Sequence, residues 1–238
     1  MTHVLRVDAT SSTPALLLRP WLDTDAEALI EAYRDPVLRR WTRSPVADAE
    51  DAVRWLAVQG DGWRSRQRHS FAVLEDLVGD DNGGRLLGNV ALKAVDPTNG
   101  SAEVGYWTAA YARGRGIAPV ALEALTRWAF DTFAPDGLTR LDLLHQVDNV
   151  ASCRVAEKAG YAFEQVMAAR PPFPNDGHLH LRHAARPIGG AGVTGSSGSA
   201  PSSDNRSLRL GGDLRGGDRT GGVGSVDGDR VTGLEVLE

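Results

Sequence analysis

The sequence predicts an α/β protein: an antiparallel meander of strands, then strand, helix, strand, helix, strand, all on one mixed sheet. Two observations carry this. Three strand-like stretches between Ser70 and Trp107 are separated only by turn-forming segments, and beyond Trp107 apolar runs of helical period alternate with short extended ones. A third observation bounds the domain. Of the 238 residues 42% are apolar, enough for a sizeable core, but the composition breaks at Gly189, beyond which lie more than half of the glycines and no aromatic residue.

Each element follows from local chemistry. Residues 1–14 show no pattern and are expected to be unstructured. Ala15 to Arg19 reads as the first strand, and Thr24-Asp25-Ala26-Glu27 as a capping box opening a helix that runs to about Arg34. A second helix begins near Asp48, places Ala49, Ala52, Val53 and Leu56 on one face, and meets a stop signal at Gly60. Ser70–Leu74 and Arg85–Ala94 form a hairpin across Gly79-Asp80-Asp81-Asn82-Gly83-Gly84, and Ser101–Trp107 follows the turn Asp96-Pro97-Thr98-Asn99-Gly100. The long helix after it buries Ile117, Ala121, Ala124, Leu125 and Trp128, with Glu123 and Arg127 paired on its wet side. Thr139–Leu144 is a strand, Asn149 caps the next helix, Gly160 ends it, and Tyr161–Met167 is extended again. The domain therefore covers residues 15–188. Residues 189–238, rich in Gly, Ser, Asp and Arg, have too few apolar side chains to offset the entropy of ordering and are expected to be a disordered tail.

Composition also excludes functions. A net charge of −5 argues against nucleic-acid binding, which draws on clustered Lys and Arg. The single cysteine, Cys153, excludes an intramolecular disulfide and a thiolate metal cluster. No apolar stretch is long enough to span a membrane and no signal peptide opens the chain, so a cytoplasmic protein is expected.

The stretch that carries chemistry is Arg113-Gly114-Arg115-Gly116-Ile117-Ala118, between a strand and the first turn of the long helix. Free amides and the positive end of the helix dipole make such a turn an anion site, and glycines let a pyrophosphate touch the backbone. Arg113 and Arg115 can add charge-assisted contacts, and Pro119 is tolerable where first-turn amides lack partners. The dinucleotide fingerprint would need glycine in place of Pro119, and a triphosphatase loop would need a Lys-Ser or Lys-Thr pair. On local sequence alone, an ordinary glycine turn before a helix remains open.

Four ordered motifs, Gly105-Tyr106-Trp107, Arg113 to Ala118, Asp148-Asn149-Val150-Ala151-Ser152 and Glu157-Lys158-Ala159-Gly160-Tyr161, resemble the GNAT superfamily of acyl-CoA-dependent N-acyltransferases. Within it the chain is similar to the ribosomal-protein N-terminal acetyltransferases of RimJ and RimL type. The resemblance spans Leu16 to Ile188 and implies a GNAT-like fold with acetyl-CoA as cofactor. It gives the pyrophosphate to Arg113, Gly114, Arg115, Gly116, Ile117 and Ala118, and the pantetheine arm and thioester carbonyl to the splayed strand Gly105, Tyr106 and Trp107, with Asn149 on the same arm. Ser152 stands where the subgroup carries the serine that donates a proton to the departing thiolate; Ala156 stands where other members have a tyrosine. Glu164 resembles the subgroup's glutamate, the candidate general base, although Gln165 replaces the glycine that usually follows. Glu103 is a second candidate base, on the strand face of Gly105 and Trp107.

The resemblance implies direct acetyl transfer to an amine, most naturally a protein N-terminal α-amino group. Rival readings are transfer to a small-molecule amine such as an antibiotic or polyamine, a catalytically silent CoA-binding regulatory module, and an RNA-associated protein using the Arg-Gly tail. The chain is expected to act as a monomer or homodimer. His178, His180 and His183 lack a carboxylate or cysteine at ligand spacing, so no metal site is expected. Cys153 points about 100° around its helix from Ser152, away from the proposed donor. Trp21, Trp41, Trp55 and Trp63 are read mainly as packing residues.

Overall fold

The computed structural model describes residues 3–42, 46–77, 83–170 and 174–185. One eight-stranded sheet runs through them in the order β1-β2-β3-β4-β5-β6-β8-β7, with β1 Leu5–Val7, β2 Leu16–Pro20, β3 Arg68–Glu75, β4 Leu86–Asp96, β5 Ser101–Thr108, β6 Arg140–Gln146, β7 Ala162–Met167 and β8 Gly177–His183. Every adjacent pair is antiparallel except β5 and β6, which run parallel. The predicted mixed α/β class, with its meander and the alternation after it, is what is observed.

Helices cover both faces. Neighbouring residues on β3, β4 and β5 point to opposite sides: the row Phe71, Val90, Tyr106 meets the helix α4, Ile117–Phe133, through Trp128 against Phe71, while Trp107 turns the other way onto Tyr33. That second face carries α1, Ala26–Tyr33, and α3, Ala49–Ser65; α2, Pro36–Trp41, follows directly on α1. The last helix, α5, Val150–Lys158, packs beside α4 over β6 and β7.

Several expectations are corrected. Residues 3–14 are not patternless: Leu5–Val7 pairs with Leu16–Leu18 as an edge strand, too short to leave a periodicity. The capping box of Thr24 and Glu27 does not form. Instead the Asp25 carboxylate turns inward, accepting from the Leu22 amide at 2.8 Å and from both ends of the Arg19 guanidinium at 2.8 Å each, so a buried ion pair decides this helix entry. The second helix runs past Gly60 to Ser65 and turns at Arg66, whose φ is 59°. Its inner face is Ala52, Trp55, Leu56 and Gln59, whereas Val53 is 63% exposed. Helix α2 was not foreseen, although Asp35 caps it by accepting from Val37 (3.0 Å) and Leu38 (3.3 Å) and Pro36 fills its first position. Most of the expected turn between β3 and β4 and the whole tail 189–238 lie outside the described residues.

Candidate active site

The site forms where β5 and β6 part. Their pairing runs from Ser101↔Arg140 to Val104↔Leu143 and stops, although β5 continues to Thr108 and β6 to Gln146. Gly105, Tyr106 and Trp107 stay paired to β4 on one edge and turn the other edge toward the gap. Backbone groups on that edge can hold an extended, amide-bearing chain as a strand would.

Beyond Thr108 a short 3₁₀ turn, Ala110–Ala112, leads into the glycine-arginine loop. Gly114 (φ 74°) and Gly116 (φ 73°) are both left-handed, a conformation side chains resist. They differ in surroundings. A Cβ on Gly114 would meet nothing within 4 Å, whereas on Gly116 it would lie 2.8 Å from Thr13 Oγ1. Gly114 borders open space that a ligand can fill; Gly116 packs against the segment that braces the loop, since Thr13 Oγ1 donates to the Arg115 carbonyl at 3.0 Å. Thr13 escaped the sequence reading because it lies 102 residues away.

The two arginines of the loop are already engaged. Arg113 pairs with Asp35, the residue that caps α2, and Arg115 donates to Glu75 at 3.1 Å. More positive charge stands on α5: the cleft in front of the loop is lined by Arg113, Gly114, Gly116 and Ile117 on one side and by Arg154, Val155 and Lys158 on the other. Arg154 and Lys158, one helical turn apart, were not singled out from sequence, though their i, i+4 spacing puts them on one face.

At the start of α5, Asn149 Oδ1 accepts from the Ser152 amide at 3.2 Å, as the capping rule requires. The polar atoms left over are the informative ones. Ser152 is fully buried and its hydroxyl has no hydrogen-bond partner among the described residues; the Asn149 side-chain N–H group is likewise buried without an acceptor. Buried polar atoms without a protein partner are costly in a folded protein and call for one from outside the chain, a water or a ligand. A donor amide and a hydroxyl at the start of α5, just beyond the carboxyl end of β6, fit a cofactor arm built of amides.

The candidate bases are placed elsewhere. Glu103 lies two residues before Gly105 on the same face but is locked in a buried ion pair with Lys93 at 2.8 Å. Glu164 stands exposed at a bulge of the outer strand β7, separated from β5 by β6 and β8. The structure thus sets Arg154, Val155 and Lys158 of α5 across one cleft from the glycine loop, with Ser152 and Asn149 buried at the start of that helix, Glu103 paired with Lys93, and Glu164 on the outer strand.

On the opposite face, a narrow pocket lies between Tyr33, Thr42 and Trp55 and the strand residues Asn89, Gly105 and Trp107. Asn89 Oδ1 accepts from Trp21 Nε1 (2.9 Å) and Ser70 Oγ (2.8 Å), fixing the pocket floor. Of the four tryptophans, Trp55 lines this pocket and Trp21 packs edge-on against it.

Residues 15–162 match the acetyltransferase (GNAT) domain model. The chain belongs to the GNAT acetyltransferases. This family takes its acetyl group from acetyl-CoA, and the cleft and orphaned polar groups just described suit that cofactor. The GNAT chain is 34% identical over 102 residues to YdaF of Bacillus subtilis (strain 168), provisionally named a ribosomal N-acetyltransferase, covering 43% of this chain and 52% of that one. It is 33% identical over 104 residues to the ribosomal-protein-serine acetyltransferase of Escherichia coli (strain K12), covering 43% and 55%. The matched stretch therefore spans about half the length of these curated relatives. In fold it superposes on RimL, a ribosomal L7/L12 α-N-protein acetyltransferase in complex with coenzyme A, with a TM-score of 0.62 at 19% identity over 75% of this chain and 97% of the other.

One further cluster lies beside the site. Cys153 Sγ is 3.4 Å from His145 Nε2 and 3.3 Å from His178 Nδ1, and His145 Nε2 is 3.2 Å from His180 Nε2. This overturns the reading that no cysteine accompanies the histidines: Cys153 and His145 are distant in sequence from His178 and His180 but adjacent across β6, β8 and α5. His183, at the exposed end of β8, is outside the cluster. Burial holds His145 down to about 4 and raises the Cys153 thiol above its ordinary value.

Proposed function

We propose that this GNAT chain moves an acetyl group from acetyl-CoA directly to an amine, and that the amine is the α-amino group of a protein N-terminus. The observation that carries the reading is the parting of β5 and β6 together with a fully buried Ser152 hydroxyl, on the helix that follows β6, that has no partner among the described residues. Bound acetyl-CoA supplies an activated thioester. The glycine loop and first turn of α4 hold its diphosphate, with Arg154 and Lys158 adding charge across the cleft. The free edge of Gly105–Trp107 and the Asn149 amide hold the arm, and backbone amides of that edge stabilise negative charge that develops at a carbonyl oxygen. Ser152 Oγ keeps a proton to release into the gap, and the pocket of Tyr33, Thr42, Trp55 and Asn89 receives the acceptor from the other face.

The position of the glutamates favours an α-amino acceptor. Only a neutral amine attacks, and at pH 7 about a tenth of a typical α-amino group is neutral but well under a thousandth of a lysine side chain. With Glu103 held by Lys93 and Glu164 on the far strand, a poorly basic acceptor is the one this site can use. The names of the two curated relatives, both concerning ribosomal proteins, support the same class. Among the described residues no helix is long and apolar enough to cross a membrane.

The test is acetyl-CoA-dependent thiol release with three acceptors: peptides with a free N-terminal serine or alanine, the same peptides Nα-blocked but containing lysine, and spermidine. Turnover confined to the free N-termini is expected. Turnover of spermidine alone would transfer the assignment to small amines, and coenzyme binding without release from any of the three would make the chain a silent binding module.

A further inference from the structure

Outside the acetyl-transfer cleft, four side chains bring one donor atom each to a common point: His145 from β6, Cys153 from α5, and His178 and His180 from β8, all within 4.8 Å of one another. A tetrahedral zinc ion bound by imidazole nitrogen and thiolate sulfur sets its ligand atoms about 3.3 Å apart for two nitrogens and about 3.6 Å for nitrogen and sulfur. The three closest pairs here are 3.2, 3.4 and 3.3 Å.

The tautomers point the same way. His145 Nδ1 lies 2.8 Å from the Gln146 carbonyl oxygen, and His180 Nδ1 lies 3.4 Å from that of Tyr161; a carbonyl can only accept, so each Nδ1 carries the proton. Both Nε2 atoms then present lone pairs to each other at 3.2 Å, a contact that repels unless something positive sits between them. A backbone carbonyl on the rear nitrogen is also how metal-bound histidines are commonly oriented. Phe163 covers the cluster with edge-on contacts to His178 (5.3 Å) and His180 (5.7 Å).

We propose that His145, Cys153, His178 and His180 form a closed, tetrahedral site for a zinc-class divalent ion, which pins α5 to β6 and β8. Four protein ligands leave no open position, so the ion is structural. Its seat is one residue from Ser152 and on the helix that carries Asn149, Arg154 and Lys158, so occupancy fixes the helix from which those side chains act. Binding deprotonates the Cys153 thiol and releases that proton to solvent.

The test uses the full chain and needs no acetyl-CoA. Purified protein is stripped with chelator, dialysed against zinc or cobalt(II), and analysed for metal content, absorption and alkylation of its one cysteine. About one zinc per chain is expected, together with a thiolate-to-cobalt charge-transfer band, intense visible bands of tetrahedral cobalt, and at least about tenfold slower alkylation of Cys153 in zinc. Cys153→Ser and His178→Ala should abolish the charge-transfer band or weaken zinc binding about a hundredfold, while His183→Ala leaves both unchanged, with circular dichroism confirming that each variant is folded. Should a variant not fold, alkylation of the wild-type chain decides alone. No retained metal with equal alkylation rates with and without zinc, or cobalt binding without a thiolate band, overturns the proposal.

Discussion

The loop 113–118 and helix α5 face each other across one cleft, yet they contribute opposite things. The loop offers backbone: two left-handed glycines and a helix start, with its arginines tied to Asp35 and Glu75. Helix α5 offers side chains: Ser152 and Asn149 unsatisfied at its buried start, Arg154 and Lys158 lining the cleft, with no ion pair to either among the described residues. A charged residue in a recognisable motif can thus be engaged by partners that only folding supplies. Arg113 joins the loop to the cap of α2 and so shapes the cleft, while the cations left over stand on the other wall.

That contrast can be broken by substitution. The largest effect is expected from Ser152→Ala, which should lower kcat about a hundredfold, the lower range for loss of a proton donor, with the coenzyme Kd within about threefold of wild type. An unchanged kcat would leave the hydroxyl a mere packing group. Next, Arg154→Ala with Lys158→Ala should weaken coenzyme A binding by about tenfold or more, since charge-assisted contacts to phosphate are worth about 1.5–3 kcal/mol each when well formed and less at exposed positions. Arg113→Ala should cost less than half as much binding energy but lower the thermal midpoint, an effect that Asp35→Ala reproduces; calorimetry and melting curves on the same samples separate the two walls. If Arg113→Ala weakens binding more than the double variant, the assignment of roles is reversed.

The smallest effect concerns pH and lies at the far end of α4. Burial among Trp63, Trp128 and Phe133, with His3 and Arg66 adding to it, lowers His69 from its ordinary 6.5 to about 4. The unfolded chain binds this proton more readily than the folded one, so the stability contribution is complete above about pH 6.5 and is lost as pH falls toward 4. Melting curves across that window should show a declining midpoint whose slope is shallower in His69→Phe, while the cleft's affinity for coenzyme at neutral pH is unaffected by that substitution.

Legibility in the sequence followed range. Strands β2 to β5 and helices α3 to α5 could be read because their periodicities and caps are local, Asp48 and Asn149 among them. Helix α2 carries a local signal, Asp35-Pro36, but is only six residues long, and β1 only three. What could not be read were pairings between distant residues. Arg19 with Asp25 displaced a capping box, Lys93 withdrew Glu103 from candidacy as a base, and the insertion of β8 between β6 and β7 brought His178 and His180 to Cys153. The loop could be proposed as an anion site from sequence because the requirement is for missing side chains, which a sequence states outright; which charges stay unpaired depends on the partners folding supplies.

The proposed function requires this cleft to grip the diphosphate of coenzyme A. Calorimetric titration of the full chain with coenzyme A and, separately, with pantetheine, which lacks the diphosphate, tests it most directly. Coenzyme A should bind, pantetheine at least about tenfold more weakly, and that gap should narrow in Arg154→Ala/Lys158→Ala; equal affinity for the two ligands, or a gap untouched by the double substitution, would mean that the cleft does not hold the diphosphate.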